Sequence, residues 1–181
     1  MKSRAILEAE INSRYSERFE KFGPTAKGVF WASNTRQERR FSLILKEIKK
    51  ISRNQSVFEI ADIGCGYGSF ADYLIRNLNR TEFNYEGFDI NSKFIEHCSR
   101  NFLEPNIRFN IGSRPLSEKT FVTMSGTYNL ATTKDVALWE QYLFSCLSEC
   151  WAHAKTAMIF NLQSSKTVSY THLRAHETPC H

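Results

Sequence analysis

The sequence predicts an α/β domain in which a parallel sheet is flanked by helices and preceded by a helical segment. Three observations carry that reading. From residue 56 onward, short apolar runs alternate with amphipathic stretches, which is the pattern of strand–helix units in a parallel sheet. A glycine-rich turn, Gly64 to Gly68, joins the first such run to the first amphipathic stretch. Before residue 56 the apolar residues recur only at helical spacing.

In residues 1–22, Ile6, Leu7, Ile11, Tyr15, Phe19 and Phe22 recur at steps of three and four, and Gly23-Pro24 ends the helix they describe. A loop from Thr25 to Thr35 holds Trp31. A second helix runs from about Gln37 to Ser52, with Phe41, Leu45, Ile48 and Ile51 on one face. The period then changes. Val57 to Ile63 is short and apolar and reads as a buried parallel strand. A helix at 69–79 follows, then a strand at 83–89, a helix at 92–102 closed by Pro105, and strands at 107–111 and 121–124. A long amphipathic helix at 134–153 and a fifth strand at 156–162 complete the pattern. The expected division is a helical segment at 1–55, an α/β core at 56–166, and a non-domain tail at 167–181. The stretch from Val168 onward continues no pattern and resembles translated adapter sequence.

A chain of 181 residues with 41% hydrophobic and 24% charged residues suits one globular domain. No apolar run approaches the ~18–20 residues of a membrane span, and no signal-peptide pattern opens the chain, so the expected location is cytoplasmic, without a membrane partner. The five cysteines (65, 98, 146, 150, 180) have no framework spacing and read as reduced thiols. Cys146, Cys150 and His153 share a helix face, but three ligands on one helix make poor tetrahedral geometry, so no metal is expected. Residues 1–55 carry 13 Lys/Arg against 6 Asp/Glu, while the remainder carries 11 against 13. The basic excess is the usual signature of a solvated helical face; a surface for an acidic partner such as RNA is the alternative.

The chemistry concentrates in Asp62-Ile63-Gly64-Cys65-Gly66-Tyr67-Gly68. Glycines between a strand and a helix let the backbone turn sharply and approach a ligand closely. The loop feeds a helix N-terminus, which favours a negative group. Asp89 closes the second strand 21 residues after Gly68, near the ~20-residue offset at which an acid meets ribose hydroxyls. Ile90 would then flank a base. A nicotinamide dinucleotide fingerprint wants glycine where Ser69 stands and does not include Asp62. A purely structural turn is the third reading of the loop.

Asp62 to Gly68 resembles the first motif of class I S-adenosylmethionine-dependent methyltransferases, and Phe88-Asp89 resembles their second. Phe22 to Trp31, Gln37 to Phe41 and Ser125 to Asn129 resemble a bacterial subgroup of that superfamily. The resemblance implies a Rossmann-like class I sheet with S-adenosylmethionine as cofactor. It implies cofactor contacts at Asp62, Gly64, Cys65, Gly66, Gly68, Asp89, Ile90 and Ser125, with Asp62 toward the donor's ammonium end. The family's sheet has two further strands in an antiparallel hairpin; these C-terminal strands are expected to be missing here. Phe30 stands where the subgroup often has Asp, and Gly112-Ser113 offers no acid after strand three.

The expected reaction is direct methyl transfer to an unidentified acceptor, with a small molecule favoured over nucleic acid. The alternative is a non-catalytic cofactor-binding or interaction module of the same fold. Methyl transfer needs alignment and exclusion of water more than a base, so no catalytic residue is assigned. Tyr128 and Asn129 are weighed between orienting the acceptor and packing the loop. Trp31 is weighed between a lid and an anchor, and Arg40 between a carboxylate contact and a surface position.

Overall fold

The computed structural model describes residues 4–52, 57–162 and 169–174. Five helices, α1 (Arg4–Phe22), α2 (Asn34–Ile51), α3 (Ser69–Asn77), α4 (Ser92–Asn101) and α5 (Val136–Trp151), accompany six strands. The strands are β1 (Phe58–Ile63), β2 (Phe83–Asp89), β3 (Ile107–Ile111), β4 (Lys119–Ser125), β5 (Ala154–Leu162) and β6 (Ser169–Arg174). They form one sheet in the order β3-β2-β1-β4-β5-β6, parallel through β5. The order reverses between β1 and β4, so a crevice opens at their C-terminal ends, where sheets of this kind bind ligands.

Strand alternation divides the core into two layers. Ile60 of β1, Tyr85 of β2 and Phe121 of β4 face α2 and α3, packing on Phe41, Ile48, Phe70 and Leu74. Ala61, Ile63, Val122 and Met124 face α5 and the start of α1, packing on Tyr142, Cys146, Cys150 and Leu7. Cys146 and Cys150 are therefore buried core thiols.

The predicted elements recur with small shifts. α2 begins one turn early because the Ser33 hydroxyl accepts from the Arg36 N–H at 3.2 Å, an N-cap ahead of the first apolar residue. The loop after α1 contains a short 3-10 turn, Ala26–Val29. Gly23 ends α1 at φ 64°, its N–H donating to Phe19 O at 2.7 Å. Phe30 is left-handed at φ 63°. Asp, which the resemblance expects at this position, tolerates that backbone more readily; here the Phe30 ring lies edge-on to Tyr15 and under the Arg18 guanidinium. The larger difference is β6. The sequence places 167–181 outside the domain, yet Ser169–Arg174 pairs antiparallel with β5, from Ala157↔Arg174 to Leu162↔Ser169. Pairing with β5 rests on backbone hydrogen bonds, and a six-residue segment without an apolar alternation gives the sequence no sign of it. The rest of that tail lies outside the described residues.

α1 is not an appendage. Arg4 at its start is ion-paired with Glu149 of α5, and Phe19 near its end packs edge-on against Phe94 of α4. Between them, Asn91 at the end of β2 donates from Nδ2 to the Ser16 hydroxyl at 2.9 Å. The same side chain caps α4, its Oδ1 accepting from the Lys93 N–H at 3.0 Å. Asn91→Ala is expected to cost about 1–2 kcal/mol for the lost cap and to loosen α1 besides. Urea unfolding checks the first effect and hydrogen exchange of α1 the second; unchanged exchange in α1 would show that Asn91 is only a cap.

Candidate functional site

A cavity of about 900 Å³, its open mouth included, sits at the reversal point. That lies within the ~300–1,000 Å³ range of small-molecule sites. Of the eight residues predicted to hold a cofactor, seven line it: Asp62, Gly64, Cys65, Gly66, Asp89, Ile90 and Ser125. Gly68 does not. It takes φ 84° as the N-cap of α3, and a Cβ there would lie 2.5 Å from the Phe102 ring, so it serves the packing of the loop against the end of α4.

The glycines act through shape. Gly64, Gly66 and Gly68 all have positive φ, a backbone that side chains disfavour. At Gly64 a Cβ would fall 2.4 Å from Thr127 Cγ2, whose hydroxyl donates to Ile63 O at 2.6 Å. At Gly66 a Cβ would meet only Val29, at 3.4 Å, on the cavity wall. Four of the loop's N–H groups, by contrast, are already engaged. Gly64 and Cys65 donate to Phe88 O, Gly66 to Asp89 Oδ2 and Gly68 to Cys65 O. The donors left for an anion are the Tyr67 N–H and those of the first turn of α3, which has no side-chain cap. The Cys65 thiol is buried beside Gly87, and burial pushes it well up, so it stays protonated.

Asp89 is the hub. Its Oδ2 accepts from the Gly66 N–H and its Oδ1 from the Asn91 N–H, each at 2.9 Å. Asp62 is buried beside it, its oxygens accepting from the Tyr85 hydroxyl at 2.7 Å and the Thr123 hydroxyl at 3.2 Å. At the β4 end, the Ser125 hydroxyl accepts from Asn161 Nδ2 at 3.4 Å.

The sequence reading missed most of the cavity's roof. Ile11, Asn12 and Tyr15 of α1 cover it, and Val29, Trp31 and Gln37 close one side. Gln37 is buried and links α2 to the glycine loop, accepting from the Tyr67 hydroxyl at 2.9 Å and donating to the Ser69 hydroxyl at 3.0 Å. Asn12 Oδ1 is buried in the wall with no hydrogen-bond partner among the described residues. An unpaired buried oxygen is costly unless a ligand supplies the donor. No helical period marks Asn12 as functional; only the docking of α1 on Asn91 at the cavity does.

Tyr128 is 8% exposed and packs edge-on to Tyr142, with ring centroids 6.3 Å apart, and both residues line the cavity. Asn129 is exposed and its N–H closes the turn on Gly126 O at 3.3 Å. Trp31 lies over Gly126, where a Cβ would stand 2.9 Å from the indole. Arg40 lines a second cavity that adjoins the first.

Burial pushes Asp62 up to about 7, against bonds from Tyr85 and Thr123 that pull it down, and the nearby Asp89 charge adds to the rise. Burial likewise pushes Asp89 up to about 6, opposed by the N–H groups of Asn91, Gly66 and Ile90. Both folded values exceed the ordinary carboxylate value of 3.8. The native state therefore keeps protons that the unfolded chain releases, and these two groups lower stability as pH rises from about 4 to about 7. Asp62→Asn keeps an acceptor for Tyr85 and is expected to gain on the wild type by up to roughly 1.4 kcal/mol per pH unit across that window. Urea unfolding between pH 4 and 8 checks this; parallel curves would show Asp62 ionised throughout.

Comparison with known proteins agrees with this geometry. A model of the methyltransferase domain matches residues 60–156. Rv1506c of Mycobacterium tuberculosis, whose name proposes a methyltransferase, is 27% identical over 109 residues, covering 60% of this chain and 64% of that protein. The chain thus spans under two thirds of that relative's length. Among solved structures, a SAM-dependent methyltransferase from Leishmania major superposes with a TM-score of 0.64 at 12% identity, over 85% of this chain and 61% of the other. Magnesium protoporphyrin IX methyltransferase from Synechocystis PCC 6803, solved with bound SAM, gives 0.58 at 15% identity, over 92% and 78%. At these identities the likeness is one of fold. With the domain match spanning over half of its length, the chain belongs to the methyltransferase-domain family.

Proposed function

We propose that the cavity holds S-adenosylmethionine and that the chain transfers its methyl group to an acceptor. The observation that carries this reading is the Asp89 carboxylate at the cavity wall beside a positive-φ glycine loop. A carboxylate has about four acceptor positions, and the N–H groups of Gly66 and Asn91 take one on each oxygen, with the Ile90 N–H also directed at the group. The remainder suit a pair of ribose hydroxyls. Asn12 Oδ1 needs a donor, and the ribose hydroxyls, the adenine amine and the ammonium group of S-adenosylmethionine are all donors. The uncapped first turn of α3 offers N–H groups to a carboxylate, with Asp62 as the buried anion nearest the ammonium end.

When bound, S-adenosylmethionine would supply a methyl carbon on a positively charged sulfur, open to displacement by an acceptor's electron pair with the carbon–sulfur pair leaving on sulfur. The chain's part is to hold, orient and keep dry. α1 roofs the cavity with Ile11 and Tyr15, and Trp31 closes the side toward the second cavity. Exclusion of water sharpens every electrostatic contact inside. Residues 1–55 act as the wall of a core at 56–166, and the eight predicted residues, less Gly68, act as the cofactor contacts. The four described cysteines are free and buried, which suits a reducing compartment, the cytoplasm. Among the described residues no helix is long and apolar enough to cross a membrane.

Calorimetric titration with S-adenosylmethionine tests the reading. Asp89→Ala removes the hydroxyl acceptor and Gly66→Val places a side chain at the wall on a backbone at φ 56°. Each is expected to weaken binding at least tenfold, and Asn12→Ala several-fold, while nicotinamide dinucleotides do not bind. Failure of the folded wild-type chain to bind the donor would overturn the proposal. Binding without turnover on any acceptor would indicate a cofactor-binding module instead.

A further inference from the structure

The second cavity, about 1740 Å³ with its mouth, shares Tyr15, Val29, Trp31 and Gly126 with the first. Whatever enters it lies beside the donor site. Its far wall is the N-terminal half of α2, which presents Arg36, Arg39 and Arg40. Spacings of three and four put these guanidinium groups on one helix face. Among the described residues no aspartate or glutamate lines the cavity. Among the described residues neither Arg36 nor Arg39 is in an ion pair, whereas Arg4, Arg76 and Arg100 are each held by carboxylates. Helical arginines close together repel unless an anion lies between them. The floor is different in kind: Trp31, Leu43 and Leu130 are apolar, with the amides of Asn129 and Asn161 among them.

We propose that the second cavity is the acceptor site and that the acceptor is a small molecule with an anionic group, a carboxylate or phosphate, on an apolar or planar body. The anion lies on the Arg36, Arg39 and Arg40 face, and the body lies over Trp31 with its nucleophile toward the shared wall at Gly126. Guanidinium groups match both anions through paired N–H donors. A concave wall with an apolar floor favours a small acceptor over a polynucleotide, whose backbone would track an open stripe. This inference rests on the first cavity being the donor site.

The test separates the two. Pyrophosphate and citrate are titrated into the wild type and into Arg36→Gln/Arg39→Gln, with S-adenosylmethionine titrated in parallel. The double substitution is expected to weaken at least one of these anions tenfold or more and to change donor affinity less than twofold, since neither arginine lines the first cavity. Arg36→Lys/Arg39→Lys should restore part of the loss. Preference for pyrophosphate points to a phosphorylated acceptor, and preference for citrate to a carboxylate. A turnover screen read by S-adenosylhomocysteine release should favour anionic acceptors, and the double substitution should raise their KM more than it lowers kcat. Anion binding that ignores the substitution would overturn the proposal, as would turnover confined to neutral or cationic acceptors. So would joint loss of anion and donor by a folded variant, which would place the arginines in the donor site. Oligonucleotide binding with a steep salt dependence that pyrophosphate does not displace would replace it with a nucleic-acid acceptor. Absence of donor binding with anion binding intact would sink the donor assignment and not the anion site.

Discussion

One buried carboxylate holds the ligand end of this molecule together. Asp89 leaves the tip of β2 and accepts one N–H from the glycine loop and one from Asn91 at the head of α4. A buried carboxylate is expensive unless its oxygens are satisfied, and here the backbone satisfies them. The cost sets the geometry. Gly66 must present its N–H inward, which needs the positive φ that only glycine adopts easily. Asn91 in turn extends the order outward, capping α4 with its carbonyl and pinning α1 through Ser16 with its amide.

A second carboxylate, Asp62, lies in the same low-dielectric space and raises the cost further. Burial, not hydrogen bonding, dominates both groups, since each is pushed up despite two or more donors. Such a site is poised for a ligand that brings positive charge and hydroxyl donors.

The N-terminal segment supplies walls of both cavities. Without α1 the first cavity has no roof, and without α2 the second has no charged wall. The charge imbalance of residues 1–55 divides accordingly. Some cations are neutralised locally, as in Arg4 with Glu8 and Lys50 with Glu47, while Arg36 and Arg39 are left facing the second cavity.

Features with a local physical cause were legible in the sequence. Helical steps at Leu7, Ile11, Tyr15 and Phe19 set α1, and the apolar run before Gly64 set β1. Spacing alone brought Asp62, the glycines and Asp89 to one crevice, because a strand–turn–helix unit places its loop at the C-terminal sheet edge whatever surrounds it. A motif does not distinguish a glycine that accommodates a ligand from one that accommodates a side chain, as Gly68 does Phe102. What only the tertiary structure decided are the contacts made across long loops: the crossing of α1 that carries Asn12 and Tyr15 to the cavity, the arginine wall of α2, Asn161 beside Ser125, and the pairing of β6 with β5. Apart from the β5–β6 pairing, these depend on packing between residues far apart in the chain, 36 positions for Asn161 and Ser125 and 79 for Asn12 and Asn91. A sequence records the period of each element, but not which element's face will meet which.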